Sequence, residues 1–174
     1  AQAIWAQAIW LRVAQAILTR PPPLATSAMS HLEFCAGALP RVVHDGAVLH
    51  HRVPPQKWCV TLNDLLQFRR IVEQYVAEGK ITPTERDEFD ATDNTVGPCV
   101  HTVNLQLIMP VTDRVGKVSW ALMLHPEGLE CDVFVTHCWK EGIYEFIDKV
   151  VNSWPRGSRH AYCCMLSNPQ NLDI

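Results

Sequence analysis

The chain has 174 residues, of which 48% are hydrophobic and 19% are charged, a composition that excludes disordered, collagen-like and coiled-coil proteins. Its 15 Lys and Arg residues against 18 Asp and Glu residues give a net charge of -3. Because no basic surplus is present to neutralise phosphates, we expect no nucleic-acid partner. The 7 cysteines are odd in number and irregularly spaced, unlike a secreted disulfide framework. The sequence therefore predicts a globular cytoplasmic protein.

Residues 1–18 repeat a short apolar motif, which reads AQAIW, AQAIW and then AQAIL. Arg12 and three glutamines interrupt the apolar run, and the run is shorter than the ~20 residues that a membrane-spanning helix needs. These features argue against a membrane segment. We interpret residues 1–23, which end in Pro21-Pro22-Pro23, as a leader-like segment followed by a proline linker. A marginal structural helix and a membrane segment are the alternatives.

Residues 24–128 are predicted to be a mainly α-helical region. The clearest helix runs from Thr61 to Gly79, because Thr61 and Asp64 have the spacing of a capping pair and apolar residues recur at helical intervals. Before it, residues 31–60 are predicted to be irregular. Gly79 is the expected C-terminal stop.

Two further helices are predicted in this region. The first is an acidic helix that begins at Thr82-Pro83 and continues through Asp90, with proline in its first turn. The second follows Gly97-Pro98 and contains a kink at Pro110.

Residues 129–174 have the pattern of a βαβ unit. A β-rich run at Cys131–His137 is followed by an amphipathic helix over Lys140–Trp154 and a second apolar strand over Ala161–Leu166. This order predicts a parallel pair of strands with a right-handed crossover. Because two strands cannot cover a core, we expect the chain to be a fragment whose further strands lie beyond Ile174. We also expect residues after 128 to fold poorly, with an unpaired hydrophobic edge.

Polar and aromatic side chains follow both predicted strands. His137-Cys138-Trp139 follows the first, and Asn168 and Gln170 follow the second. Open α/β sheets bind ligands beyond the carboxyl ends of their strands, so His137, Trp139, Asn168 and Gln170 are candidate ligand-binding residues. Ordinary loop packing and turn capping are the alternatives. No catalytic residue is predicted, because neighbours such as His137 and Cys138 seldom face each other.

Metal-binding patterns are incomplete. The segment from Glu78 to Glu85 imitates the second half of an EF-hand loop, but the first half lacks the oxygen ligands that calcium needs. No CxxC motif occurs, and His50 and His51 are adjacent, which does not suit zinc. We therefore expect no metal site and no bound cofactor.

The segment Asp132–Trp139, followed by Phe146, resembles the opening of a Toll/interleukin-1-receptor-like (TIR) domain, which begins with an aspartate and a hydrophobic strand. More narrowly, HCW with the helix EGIYEFIDKV and then YCCMLSNPQNLDI is similar to a group of TIR-like proteins abundant in single-celled algae and other protists. The resemblance covers residues 130–174. Thr136 stands where many TIR domains have serine, and the HCW sequence departs from the usual receptor pattern.

The resemblance implies α/β architecture with a flavodoxin-like parallel sheet, incomplete in this chain. It implies either a signalling module that binds protein partners or self-associates through its α/β region, which we favour, or an NAD-cleaving hydrolase. In the hydrolase alternative, NAD is a substrate, the catalytic glutamate lies beyond this chain, and His137, Trp139, Asn168 and Gln170 form a nucleotide-binding rim. A third alternative is an accessory subunit of a larger assembly.

Overall fold

The computed structural model describes residues 44–172. The apolar repeat and the proline linker predicted over residues 1–23 lie outside this range. The elements in chain order are the helix α1 (Gly46–Arg52), a 3-10 turn (Pro55–Lys57), the strand β1 (Val60–Thr61), the helices α2 (Leu62–Ala77) and α3 (Val100–Val103), a π-helical segment (Asn104–Ile108), the helices α4 (Met109–Arg114) and α5 (Trp120–Leu124), the strand β2 (Val133–Val135), the helix α6 (Ile143–Asn152), the strand β3 (His160–Cys163) and the helix α7 (Cys164–Ser167). Within residues 44–172, no helix has both the length and the apolar character needed to cross a membrane.

The sheet is a small mixed sheet with the strand order β1-β3-β2. β2 and β3 are parallel, with Phe134 opposite Tyr162, and α6 connects them, which confirms the predicted βαβ unit. β1 pairs with the other side of β3 in antiparallel orientation, with Val60 opposite Ala161. The expectation of only two strands is therefore wrong, because a short segment from the helical region adds a third strand to the sheet. The architecture is α/β.

The helix α2 begins and ends where the sequence predicts. The Thr61 hydroxyl accepts a hydrogen bond from the Asp64 amide at 3.1 Å, and the Asp64 carboxylate accepts one from the Thr61 amide at 2.7 Å. Together these bonds form a capping box. Gly79, with a φ of 66°, follows the last turn in the left-handed conformation that glycine tolerates.

The acidic helix predicted over Thr82–Asp90 is absent, and the segment forms turns instead. Thr84 and Asp87 exchange backbone hydrogen bonds of 3.0 Å. Asp90 accepts a hydrogen bond from the Thr92 amide at 2.8 Å. Short polar side chains that bond to nearby backbone in this way compete with helix formation, and this competition is the physical reason for the difference.

The predicted third helix exists, and it starts at Val100. Just before Pro110, where the sequence predicts a kink, the structure has a π-helical segment. The amide of Met109 donates to the carbonyl of Asn104, five residues earlier, and Pro110 has no amide hydrogen to restore the α-helical pattern.

The helices α1 and α5 are not predicted from the sequence. Irregular structure is predicted for residues 31–60, but residues 46–52 of this range form α1. Asp45, which looks like part of a turn, caps α1 by accepting a hydrogen bond from the Val48 amide at 3.1 Å. Ser119 caps α5 by accepting one from the Leu122 amide at 3.2 Å. Both helices are too short for a periodic apolar pattern to identify them.

One hydrophobic core extends across the helices and the βαβ unit. Phe68 of α2 contacts Trp120 of α5 edge to face at 5.0 Å between ring centroids, and both belong to the same buried cluster as Ile147 of α6. At the surface of this core, Arg69 of α2 binds Asp148 of α6 at 3.0 Å. The core of the described residues is therefore continuous across residue 128, where the sequence predicts a domain boundary.

Candidate functional site

The loop after β2 places His137 among three neighbours. Its ring centroid lies 5.1 Å from that of Trp139 and 5.6 Å from that of Phe146 on α6. Its Nδ1 atom lies 3.7 Å from Sγ of Cys164, the first residue of α7. The loops after β2 and β3 are therefore neighbours at the carboxyl edge of the parallel pair, as the strand order predicts.

His137 carries an unusual polar atom, because its Nε2 is buried and has no hydrogen-bond partner among the described residues. Burial lowers the pKa of His137, and the nearby Glu141 carboxylate opposes this shift. The imidazole is therefore neutral at pH 7. A neutral imidazole has one nitrogen that donates and one that accepts, and the buried Nε2 uses neither capacity within residues 44–172.

Trp139 is the exposed member of this cluster, with 36% of its surface accessible. Its carbonyl accepts a hydrogen bond from the His101 amide at 3.0 Å, and the carbonyl of Glu141 accepts one from the Val100 amide at 3.0 Å. These bonds attach the loop to the start of α3. The indole ring is consequently presented to solvent on an anchored backbone.

Asn168 and Gln170 make local hydrogen bonds. The Asn168 side-chain oxygen accepts a hydrogen bond of 2.5 Å from the Tyr162 hydroxyl, and Gln170 donates to the Asn168 carbonyl at 3.1 Å. No hydrogen bond or ring contact in residues 44–172 joins this pair to His137 or Trp139. The structure thus brings the two loops together through Cys164, and the four candidate residues form two separate pairs.

The Cys–His contact at this edge involves Cys164, whereas Cys138 is exposed. Burial raises the pKa of the Cys164 thiol, so the group is a neutral thiol and a weak nucleophile at pH 7. The sequence reasoning missed this pair because His137 and Cys164 are distant in the chain. Only the parallel pairing of β2 with β3 juxtaposes them.

A second feature of the site is the outer edge of β2, which carries no further strand within the described residues. Beside it, a groove of about 330 Å³ separates the strand from α6. Its apolar lining includes Val133, Val135, Phe146, Val150 and Trp154. The sequence analysis predicted this unpaired hydrophobic edge, but the groove depends on how α6 crosses the strand.

Charged residues border the groove on the α6 side. Lys149 binds Glu145 at 2.8 Å and Glu141 at 3.2 Å. Within residues 44–172, no cluster of three or more His, Cys, Asp or Glu side chains has the arrangement of a metal site. The site therefore offers a ligand or partner two features. One is the apolar groove beside the outer edge of β2, and the other is the neighbouring loop with His137 and the exposed ring of Trp139.

Comparison of the chain with models of known protein families, with curated proteins and with solved structures finds no match.

Proposed function

We propose that this chain is a cytoplasmic, TIR-like protein-interaction module that self-associates through the outer edge of β2. In this proposal, residues 129–174 are a TIR-like βαβ unit, and β2 is the edge strand of the sheet that residues 44–172 form. The observation that carries the proposal is the outer edge of β2, which pairs with no strand among residues 44–172 and lies beside an apolar groove. An edge strand exposes unpaired amide and carbonyl groups, and these bind another extended segment readily.

The sequence of β2 suits pairing with a second copy. An antiparallel, twofold pair centred on Phe134 places Val133 of one copy opposite Val135 of the other, so that apolar residues meet across the interface. None of the three residues of β2 is charged, so no like charges oppose each other in this pair. Lys149 and Glu141 both border the groove. Each copy therefore brings one positive and one negative side chain to the interface, and these can pair with the opposite charges of the other copy.

The proposed location agrees with the cysteine chemistry. All six cysteines in residues 44–172 are free thiols, the state that reducing compartments maintain.

Sedimentation analysis across a concentration series tests the proposal. We expect the average mass of the wild-type chain to rise towards a dimer, and Val150→Lys, which places a charge in the groove, to weaken association at least about tenfold. Asn152→Lys, an exposed position on the same helix outside the groove lining, serves as the matched control and should associate normally.

Val150 packs against the core, so its substitution can also reduce stability. A second groove variant distinguishes weaker association from loss of folding. Ser153→Arg changes an exposed residue of the groove lining, and we expect it to weaken association with an unchanged melting temperature. A wild-type chain that stays monomeric at all concentrations contradicts the proposal. Equal association of wild type and both groove variants also contradicts it.

The cluster at His137 favours a second candidate, an NAD-cleaving hydrolase in which this chain supplies part of the nucleotide-binding rim. The exposed ring of Trp139 offers one stacking surface to a nucleotide, and it packs against His137, whose Nε2 is buried and has no hydrogen-bond partner among the described residues. Titration of the chain with NAD, followed through tryptophan fluorescence, tests this candidate. Saturable quenching that Trp139→Ala abolishes supports it, and an unchanged signal argues against it.

A further inference from the structure

Cys59 and Cys131 are distant in sequence but lie on neighbouring segments of the fold. Cys59 immediately precedes β1, and Cys131 lies two residues before β2. The backbone holds the two segments together, because the Cys131 amide donates to the Gln56 carbonyl at 3.1 Å and the Leu129 amide donates to the Lys57 carbonyl at 2.8 Å. The sulfur of Cys59 also lies 3.8 Å from the Gln56 carbonyl oxygen. Both cysteines therefore converge on one backbone oxygen.

The two thiols are neighbours, because the pKa of each responds to a hydrogen bond between them, and they are not equivalent. A hydrogen bond from Cys59 lowers the pKa of Cys131, against the effect of burial. The same hydrogen bond, together with burial, raises the pKa of Cys59. Cys59 is fully buried, whereas Cys131 retains 8% exposure. Of the two, Cys131 is the thiol whose pKa the hydrogen bond lowers and the only one that retains any exposed surface, so it is the better candidate for the attacking cysteine.

We propose that Cys59 and Cys131 form a reversible disulfide when the protein meets a peroxide, so that the pair is a redox modification site connecting the helical region to the βαβ unit. Cys131 is the residue that reacts first, and Cys59 is the residue that resolves the intermediate. Hydrogen peroxide is the oxidant that fits, since it is small enough to reach a thiol with little exposed surface.

The reaction balances in two steps. The Cys131 thiolate attacks one oxygen of hydrogen peroxide, the O–O bond breaks, and the leaving hydroxide takes up a proton and becomes water. Cys131 is then a sulfenic acid. The Cys59 sulfur attacks the Cys131 sulfur, the S–S bond forms, and the sulfenic hydroxyl leaves with the Cys59 proton as a second water. Two thiols are oxidised, and one peroxide is reduced to two waters.

The bond would close a long loop that contains α2, α3, α4 and α5. Closing a loop of this length restricts the unfolded chain strongly, so oxidation should raise the melting temperature by on the order of 10 °C. It would also tie the start of β2 to the segment before β1, on either side of the central strand β3.

The test treats the folded 174-residue chain with hydrogen peroxide, blocks remaining thiols, digests without reductant and maps linked peptides by mass spectrometry. We expect a peptide containing Cys59 linked to one containing Cys131, and its loss on addition of dithiothreitol. Cys138→Ser removes an exposed cysteine and is the matched control that should retain both the link and the shift in melting temperature.

Single substitutions test the order of reaction. Cys59→Ser should leave Cys131 trapped as a sulfenic acid that dimedone labels, whereas Cys131→Ser should leave Cys59 unlabelled. If either variant fails to fold, mapping of the wild-type chain still decides the question. Oxidation of other cysteines in folded protein without the Cys59–Cys131 link would overturn the proposal. A link that forms only in urea-unfolded chain would also overturn it.

Discussion

The hydroxyl group of Tyr162 donates a hydrogen bond of 2.5 Å to the side-chain oxygen of Asn168. The tyrosine is almost fully buried, and its ring stacks on Phe134 of the neighbouring strand at 5.2 Å. Burial raises the pKa of Tyr162, so the hydroxyl stays protonated and acts as a donor. Asn168 therefore satisfies a buried polar group of the sheet and connects the loop after α7 to β3.

Removing the Asn168 side chain should consequently reduce stability. We expect Asn168→Ala to lower the free energy of unfolding by about 2 kcal/mol, because the Tyr162 hydroxyl is left without its partner. Gln170→Ala, which removes only hydrogen bonds to nearby carbonyls, should cost less than about 1 kcal/mol. Urea unfolding measures both. Equal effects of the two substitutions would argue against the structural role of Asn168.

His50 should make the protein sensitive to mild acid. Its Nε2 accepts a hydrogen bond from the Ser119 amide at 3.0 Å, and burial lowers the pKa of His50 from 6.5 to about 4. The unfolded chain thus takes up a proton first as the pH falls. Stability is complete above pH 6.5 and is lost progressively below it, by roughly 2 kcal/mol at about pH 5.

Urea titrations at neutral and mildly acidic pH measure this loss. His50→Gln keeps an acceptor for Ser119 but does not titrate, so its stability should vary less between the two pH values. His51→Gln changes an exposed histidine of the same helix and should retain the wild-type pH dependence. The same slope in the His50 variant and the wild type would exclude His50 as the cause.

Asp64 stabilises two parts of the fold. Its Oδ2 accepts hydrogen bonds from the Thr61 amide and from Nε2 of His125, each at 2.7 Å. Burial favours the protonated acid, but the hydrogen bonds from His125 and Thr61 outweigh it and lower the pKa of Asp64. We expect Asp64→Ala to cost about 3 kcal/mol, and Thr61→Ala, which removes only one cap bond, about 1 kcal/mol.

A double-mutant cycle between Asp64 and His125 isolates their interaction. We expect a coupling energy of about 1–2 kcal/mol from thermal or urea unfolding. Gln74→Ala is the control, because it removes only the exposed hydrogen bond from Gln74 to Glu78 near the end of the same helix. It should change the free energy of unfolding by less than about 0.5 kcal/mol. Additive effects of the Asp64 and His125 substitutions would show that the contact contributes nothing.

Two glycines with left-handed backbone should respond differently to alanine. A Cβ at Gly116, with φ of 96°, would lie 1.6 Å from the His44 carbonyl oxygen. At Gly79, with φ of 66°, nothing lies within 4 Å. Gly79→Ala should cost about 1 kcal/mol from backbone strain alone. Gly116→Ala should cost about 3 kcal/mol or more, because the contact between α1 and the turn after α4 must open. Similar melting temperatures for the two variants would contradict this packing.

The parts of the fold that the sequence predicts are those with a local signal. The capping pair Thr61 and Asp64 marks the start of α2, and the apolar stripe of α6 between two β-rich runs indicates the βαβ unit. The second strand is predicted to extend to Leu166 but ends at Cys163. There the Ser167 hydroxyl accepts the Cys163 amide hydrogen at 2.9 Å, and α7 begins. A side-chain cap of this kind is invisible to apolar periodicity.

Other features depend on contacts between distant segments. β1 has two residues, too few to show an alternating pattern, and it exists because Val60 and Thr61 pair with β3. In the candidate site, the sequence places His137 and Trp139 together, but it cannot show that Cys164 is the sulfur beside His137. It also cannot show that Cys59 meets Cys131. These juxtapositions follow from strand order and from loop docking, which no local pattern encodes.

The most direct test of the central claim is hydrogen exchange of the peptide covering Val133–Val135 at low and high protein concentration. Self-association through the edge of β2 predicts that amide protection of this peptide rises with concentration, and that Val150→Lys abolishes the rise. Protection of α2 should stay unchanged and serves as the internal control. Protection of β2 that is the same at every concentration, in a sample whose average mass increases, would contradict the account.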